Sequence, residues 1–195
     1  MKTHVAILSL LLSGALSAQT LTEKFDSKGH PKAKGVWMTV KYPAGWAAKE
    51  GNRPNIVQLF SGKYEGVPTL LIIQIKSTEV DLEGECKILS SKEWEDELTD
   101  IPTGMKASNV KKIKHETKPG FIGNTEQVIE RAGKVIYSVN EVMSICHGKN
   151  LVAAWCGTSA FSNQADQGKV RKNLNALAPL CYQFFNSLVL MDIYR

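Results

Sequence analysis

The stretch that decides the fold is the segment from Lys134 to Gly157, which reads KVIYSVNEVMSI (134–145), CHGKN (146–150) and LVAAWCG (151–157). Its first part alternates between a more apolar and a more polar face, as a strand of an antiparallel sheet does. Polar turn residues separate it from a second apolar run, so the spacing predicts a hairpin with Cys146 opposite Leu151. Residues 125–131, which lead through Ala132-Gly133 into this hairpin, predict a third antiparallel strand.

Further strands are predicted by β-branched and aromatic runs bounded by turn residues. They are Val36–Tyr42, which ends at a turn formed by Ala44-Gly45-Trp46, and Ile56–Phe60, Leu70–Ile75 and Ser108–Glu116. Five of the six residues of Leu70–Ile75 are apolar, so we expect a central strand buried on both faces. The polar segment Thr20–Lys34 is expected to precede the first strand.

Two segments favour helices. Ser90 and Glu93 form a capping box that predicts a short helix over about Ser91–Leu98. Apolar residues then recur at helical spacing from Val170 to Leu188, and Pro179 lies within that stripe, so a kink or the start of a second helix is expected there. The pattern therefore predicts an α+β fold, an antiparallel sheet of about six or seven strands packed against a long C-terminal helix and a short helix.

The chain begins like a secretory signal peptide. Lys2 is followed by an apolar run and then by small residues at Ala15, Ser17 and Ala18. We expect residues 1–18 to be removed and residues 19–195 to form a single globular domain that is exported to the periplasm or the medium. The apolar run is shorter than the roughly 20 residues that cross a bilayer, so no transmembrane segment is expected in the mature chain.

Cysteine usage agrees with export. The mature chain has four cysteines, Cys86, Cys146, Cys156 and Cys181, and an even count in an oxidising compartment indicates two disulfides with three possible connectivities. In the predicted hairpin Cys156 lies five residues beyond the partner of Cys146, about 16 Å away and on the opposite face. A disulfide between these two is therefore disfavoured, and cross-links from Cys86 and Cys181 into the strands are expected. No metal-ligand spacing is present, so neither a metal nor another cofactor is expected.

The formal net charge of +5 indicates attraction to anionic lipid headgroups, polysaccharide or acidic partner surfaces, and this attraction weakens with salt. Lysines concentrate at Lys111, Lys112 and Lys114, where we expect the solvated edge of the sheet. Residues 169–172 form a second basic cluster. Neither cluster has interleaved aromatic residues, so nucleic-acid binding is not supported. The three lysines remain candidates for contact with an acidic protein.

The order of elements, together with VKYPAGW (40–46), IVQLF (56–60) and FFNSL (184–188), resembles the PsbP/Mog1/DcrB superfamily. This resemblance covers roughly residues 35–190. It implies an α/β sandwich whose members generally bind other macromolecules and serve as accessory or envelope proteins. It carries no catalytic residues to transfer onto this chain, and a fold alone does not fix a function.

The aromatic residues near the first turn are the second candidate partner-binding group. Trp46 and Tyr42 lie beside Pro43 and Gly45. Either they form a core plug that fixes the turn, or they are exposed anchors for a protein partner, as Trp and Tyr often are. The acidic run 81–85 could coordinate calcium but lacks the spacing of a calcium loop, so a solvated connection is favoured.

No linear catalytic motif is present, and His30, His115 and His147 each have a structural explanation. The leading hypothesis is an exported, non-catalytic binding or accessory protein, for example an immunity or inhibitor protein. A small secreted hydrolase is the alternative that a pocket with several perturbed titratable groups would favour. A lipid or small-molecule carrier is a further alternative, which a large apolar cavity would favour.

Overall fold

The computed structural model describes residues 20–100, 105–131, 133–161 and 164–194, so the predicted leader lies outside the described residues. The elements are, in chain order, β1 (Leu21–Asp26), β2 (Met38–Pro43), β3 (Ala47–Glu50), β4 (Ile56–Tyr64), β5 (Val67–Ser77), α1 (Leu82–Ile88), α2 (Ser91–Asp100), β6 (Met105–His115), β7 (Lys118–Arg131), β8 (Lys134–His147), β9 (Asn150–Phe161), α3 (Gln164–Asn186) and β10 (Val189–Leu190). Short 3-10 turns cover Pro31–Ala33 and Met191–Tyr194. Among the described residues, no helix is long and apolar enough to cross a membrane.

The strands form two antiparallel sheets. The large sheet has seven strands in the order β3-β4-β5-β9-β8-β7-β6, and the small sheet has the order β1-β2-β10. Cys146 pairs with Leu151 in the β8–β9 hairpin, as the turn spacing predicts. The predicted α+β architecture, with its seven-stranded sheet, long C-terminal helix and short helix, is confirmed.

The two faces of the large sheet are covered differently. The inner face, which carries Phe60, Ile73 and Ile145, packs against α3 and the small sheet in the main core. The outer face carries Phe121 and Cys146, and α1 and α2 pack on it in a second cluster through Cys86 and Trp94. The molecule is therefore layered, with the large sheet between the two short helices and the α3 layer.

The short helix α2 begins at the predicted capping box. The Ser90 backbone N–H donates to Glu93 Oε2 at 2.7 Å, and the Glu93 N–H donates to Ser90 Oγ at 3.2 Å. The backbone N–H of Ser90 also lowers the pKa of the Glu93 carboxyl. Trp94 stacks on Phe121 of β7, with ring centroids 4.7 Å apart, so the cap positions α2 on the outer face.

Two segments that read as irregular form regular elements. The polar leading segment contains β1, where only Leu21 and Phe25 pack toward the core and the other strand positions are exposed. The acidic run predicted as a solvated connection contains the first turn of α1, with Asp81 at the N-cap position. Both expectations are wrong because pairing with β2 and a disulfide supply the stabilisation that the short polar sequences lack.

Two further expectations are corrected by packing. β5 is buried on its inner face only, since Leu71 and Ile73 are fully buried while Leu70 is 37% exposed. α3 continues through Pro179, so no second helix begins there. Leu177 and Leu180 on either side of the proline are fully buried in the main core, and this packing stabilises the helix on both sides of Pro179.

Candidate functional site

The two aromatic candidates lie at the core side of the first turn. Trp46 is 8% exposed and belongs to the main core. Its ring lies flat against Gly62 of β4, where an added Cβ would come within 2.6 Å of the indole. Tyr42 stacks on Phe60 with ring centroids 4.2 Å apart. This geometry favours the turn-fixing interpretation, and a partner-binding role for Tyr42 and Trp46 stays an untested prediction.

The three candidate lysines lie on β6, at the edge of the large sheet, and all three are exposed. The register places Lys111 on the inner face with Ile122, and Lys112 on the outer face with Phe121. Lys112 Nζ donates to the carbonyls of Lys87 and Leu89, at 2.6 and 2.9 Å, and so closes the C-terminal end of α1. The lysines therefore do not form one continuous patch. Their contact with a partner remains a prediction.

The second basic cluster is partly structural. Arg171 of α3 donates from Nε and an Nη atom to the two carboxylate oxygens of Glu126, at 2.9 and 2.8 Å. The Tyr137 hydroxyl donates to the same carboxylate at 2.7 Å. Hydrogen bonding from Arg171 lowers the pKa of Glu126 in spite of partial burial. The group fastens α3 to the inner face of the sheet and leaves Lys169 and Lys172 exposed.

The four cysteines form two disulfides, Cys86–Cys146 and Cys156–Cys181. The first joins α1 to β8 on the outer face, and the second joins β9 to α3 on the inner face. The expected pair of disulfides is confirmed, and Cys146 and Cys156 are not bonded to each other. Each helical layer is thus covalently attached to the large sheet.

A cleft of about 350 Å³ lies between α1, the β8–β9 turn and the C-terminal 3-10 turn. Its ionisable residues come from distant parts of the chain and include Glu83, Lys118, His147 and Asp192. His147 Nε2 lies 3.6 Å from Asp192 Oδ2, which also accepts the Trp37 backbone N–H at 3.1 Å. Sequence reasoning missed this site because it treated His147 as an isolated turn residue.

Glu83 shows how the ionisable groups of the cleft are used. Lys118 Nζ donates to Glu83 Oε2 at 2.9 Å, and the Gly148 backbone N–H donates to the same oxygen at 3.2 Å. Burial alone would raise the pKa of this carboxyl, but the bonds from Lys118 and Gly148 outweigh it and the pKa is lowered. Glu83 is thus an ionised acceptor that joins α1 to β7 and to the β8–β9 turn.

The described residues of the cleft include an acid–base pair, His147 and Asp192, but no hydroxyl or thiol group beside it. The residues that line it are Lys34, Gly35, Val36, Glu83, Lys118, His147, Gly148, Lys149, Asn150 and Asp192. None of these carries a hydroxyl or thiol group that His147 could activate, as a triad requires. Among the described residues no group of acidic, histidine or cysteine side chains is arranged to hold a metal ion.

A second cleft, of about 290 Å³, opens near the β6 edge and contains Glu141 together with Lys111 and Asn124. Burial raises the pKa of the Glu141 carboxyl. Its strand neighbours are Asn124 and Cys156, so no second carboxylate is paired with it across the sheet. A single carboxylate of this kind lacks the partner that paired acid–base chemistry needs.

Comparisons with known proteins identify the fold. No protein-family model matches the chain, and no curated protein matches it. Among solved structures, the Ran-binding protein Mog1p of Saccharomyces cerevisiae is similar to 90% of this chain over 98% of its own length, with a TM-score of 0.53 and 10% identity. A variant of Mog1 gives a TM-score of 0.50 and 11% identity over 87% of this chain and 96% of its own.

A protein from Bacteroides thetaiotaomicron gives a TM-score of 0.47 and 13% identity over 88% of this chain. The chain spans about half of that protein, 49% of its length. At such low identities the similarity establishes the fold alone. The chain has a Mog1/PsbP-like α+β fold, as the resemblance in its sequence implies.

Proposed function

We propose that this chain is an exported, non-catalytic binding or accessory protein of the cell envelope or secreted fraction, and that it acts by binding another protein. The proposal rests on one observation: the ionisable groups of the larger cleft are engaged in bonds that hold the fold together. Glu83, Lys118 and Asp192 all take part in bonds between elements of the fold, and none of the described residues that line the cleft carries a hydroxyl or thiol group. These groups therefore support binding more than catalysis.

Export is supported by the leader-like residues 1–18 and by the disulfides. Both disulfides tie a helical layer to the sheet, and structural disulfides of this kind persist in oxidising compartments. The mature chain is proposed to begin near Gln19.

A protein partner is supported by the fold. Mog1p, which shares it, is named for binding Ran, so this architecture is able to present a surface to another protein. An acidic partner is supported by the net charge of +5. An immunity or inhibitor protein is one form that such a binding protein would take. Both clefts are lined largely by polar and charged residues, which gives no support to a lipid carrier.

The proposal is tested by purifying the tagged full-length chain from its own cells in low salt and identifying what remains bound. A stoichiometric protein partner that is released at high salt is the expected result. Recovery of the chain alone would contradict the proposal.

The catalytic alternative is tested in parallel with a panel of esterase, peptidase and glycosidase substrates, using the wild type and His147→Ala. No turnover above that of the variant is expected. Turnover that is lost in His147→Ala would overturn the non-catalytic assignment.

A further inference from the structure

The two short helices lie toward one side of the outer face of the large sheet. α1 lies against β7 and β8 and makes a smaller contact with β9, and α2 lies along β6. Among the described residues no helix makes a substantial contact with β3, β4 or β5 on this side. We call this area the open patch and define it by the outer-face residues Lys49, Leu59, Leu70, Ile72, Lys76 and Trp155. Within the described parts of the chain, this surface beside the two short helices is therefore unpartnered.

The centre of the open patch is apolar. The register places Leu59 beside Ile72 and Ile72 beside Trp155, which makes one row across β4, β5 and β9. All three side chains are half-buried, and Leu70, two residues before Ile72, is 37% exposed. At the far end of β9, Phe161 is 62% exposed on the same face. A contiguous apolar area of this kind marks an interaction site more often than scattered apolar residues do.

The carboxylates of the strands all lie on one face of the large sheet. The acidic residues in strands β3 to β9 are Glu50, Glu126, Glu130 and Glu141, and the register places all four on the inner face. The outer face carries exposed lysines around the apolar row, with Lys49 on β3, Lys76 on β5 and Lys134 on β8. Lys134 lies 5.1 Å from the centre of the Phe161 ring. The charged strand residues around the open patch are thus lysines, and the exposed carboxylates nearest to Lys76 in sequence, Glu79 and Asp81, lie in the connection after β5.

We propose that the open patch is the docking surface for an acidic protein whose own surface has an apolar centre and a rim of carboxylates. This inference rests on the proposed function and names the surface that performs it. The lysine rim would steer and orient the partner, and the row through Trp155 would supply the buried contact.

Other occupants fit less well. The central row of Leu59, Ile72 and Trp155 is half-buried, so it offers less protruding apolar surface to a bilayer than a peripheral membrane helix does. A second copy joined through the same patch would set lysines against lysines across a two-fold axis. An acidic protein surface is the occupant that satisfies both the apolar centre and the cationic rim.

The first part of the test locates the partner. Two variants each carry one photo-crosslinking residue. One replaces Leu70 in the open patch, and the control replaces Tyr182, which is 72% exposed on α3 at the opposite side of the sheet. The tagged full-length proteins are irradiated in their own cells. Crosslinking of one acidic protein from position 70 and not from position 182 is expected. Crosslinking from position 182 alone would overturn the docking surface and leave the binding function standing.

Crosslinking to lipid from position 70 would also overturn the proposal, in favour of a membrane surface. If neither position gives a crosslink and the protein is purified without any bound partner, the proposed function is contradicted as well. The failures of the two proposals are therefore distinguishable.

The second part measures the affinity of the purified, crosslink-identified partner. The double variant Lys49→Glu/Lys76→Glu reverses two rim charges. The matched control, Lys169→Glu/Lys172→Glu, makes the same change of charge on exposed residues of α3. We expect the rim variant to bind about tenfold or more weakly and with a smaller dependence on salt, and the control to bind like the wild type. Equal losses in both variants would show attraction to net charge only and would overturn the specific surface.

Discussion

Replacing Trp46 with alanine tests whether the first turn is fixed by a core plug. The side chain is 8% exposed, so almost all of the roughly 200 Å² that a tryptophan buries is withdrawn from water. At about 25 cal/mol per Å² this corresponds to about 5 kcal/mol, and alanine retains a small part of it. Together with the cavity left against Gly62, we expect Trp46→Ala to lower the free energy of unfolding by about 3–5 kcal/mol.

The assay is reversible urea unfolding with intact disulfides, supported by thermal unfolding. A loss of that size corresponds to a fall in Tm of about 6–20 °C for a chain of this length. The matched control is Trp37→Ala, because Trp37 is half-exposed and contacts Asp26 and Lys28 at the surface. This control should lose about 1–2 kcal/mol. A change below about 1 kcal/mol in Trp46→Ala, with loss of partner binding, would refute the plug and establish an exposed anchor.

Further predictions concern the sheet, the disulfides and a buried carboxyl. Gly62→Ala should destabilise the fold by about 1–3 kcal/mol, because the added Cβ would meet the Trp46 ring. Gly168→Ala is the matched control: it has open space around it in α3 and should stabilise the fold by up to about 1 kcal/mol. Urea unfolding compares the two variants. Replacing both cysteines of one disulfide with serine removes a constraint on the unfolded chain. The free energy of unfolding should fall by about 4.3 kcal/mol without Cys86–Cys146, whose cysteines are 60 residues apart, and by about 3.5 kcal/mol without Cys156–Cys181, whose cysteines are 25 residues apart. The opposite order in guanidinium unfolding would contradict this reasoning. Burial raises the pKa of the Glu141 carboxyl above 4.5, so the folded state binds this proton more readily than the unfolded chain does. The free energy of unfolding therefore falls as the pH rises from 4.5 through the raised pKa. Glu141→Gln should therefore raise the Tm at pH 7, and this gain should shrink as the pH is lowered through the raised pKa toward 4.5. A gain independent of pH would count against this origin.

Local signals predicted the elements whose geometry is fixed by neighbouring residues. The β8–β9 turn sets the register of the hairpin, because Cys146 and Leu151 lie symmetrically about it. The Ser90–Glu93 capping box sets the start of α2 for the same reason. β1 and α1 were missed because their sequences are short and polar. Their stabilisation comes from β2 and from the Cys86–Cys146 bond, which no local pattern contains.

The candidate sites depend on contacts that are distant in sequence. The larger cleft joins Lys34, Glu83, His147 and Asp192, and each of these alone reads as a solvated residue. The open patch could be found only after the strand order was known. Alternation in β5 separates its two faces, but the sequence does not say which face α3 covers, and so Leu70 and Ile72 read as part of a fully buried strand.

The central claim is that this chain is an exported binding protein with a protein partner. Native mass spectrometry of the protein purified in low salt from the exported fraction of its own cells tests it most directly. The account predicts a chain that begins near Gln19, has both disulfides formed and is held in a stoichiometric complex with an acidic protein that dissociates when the salt concentration is raised. A chain that retains residues 1–18, has reduced cysteines or carries no partner at low salt would contradict the account.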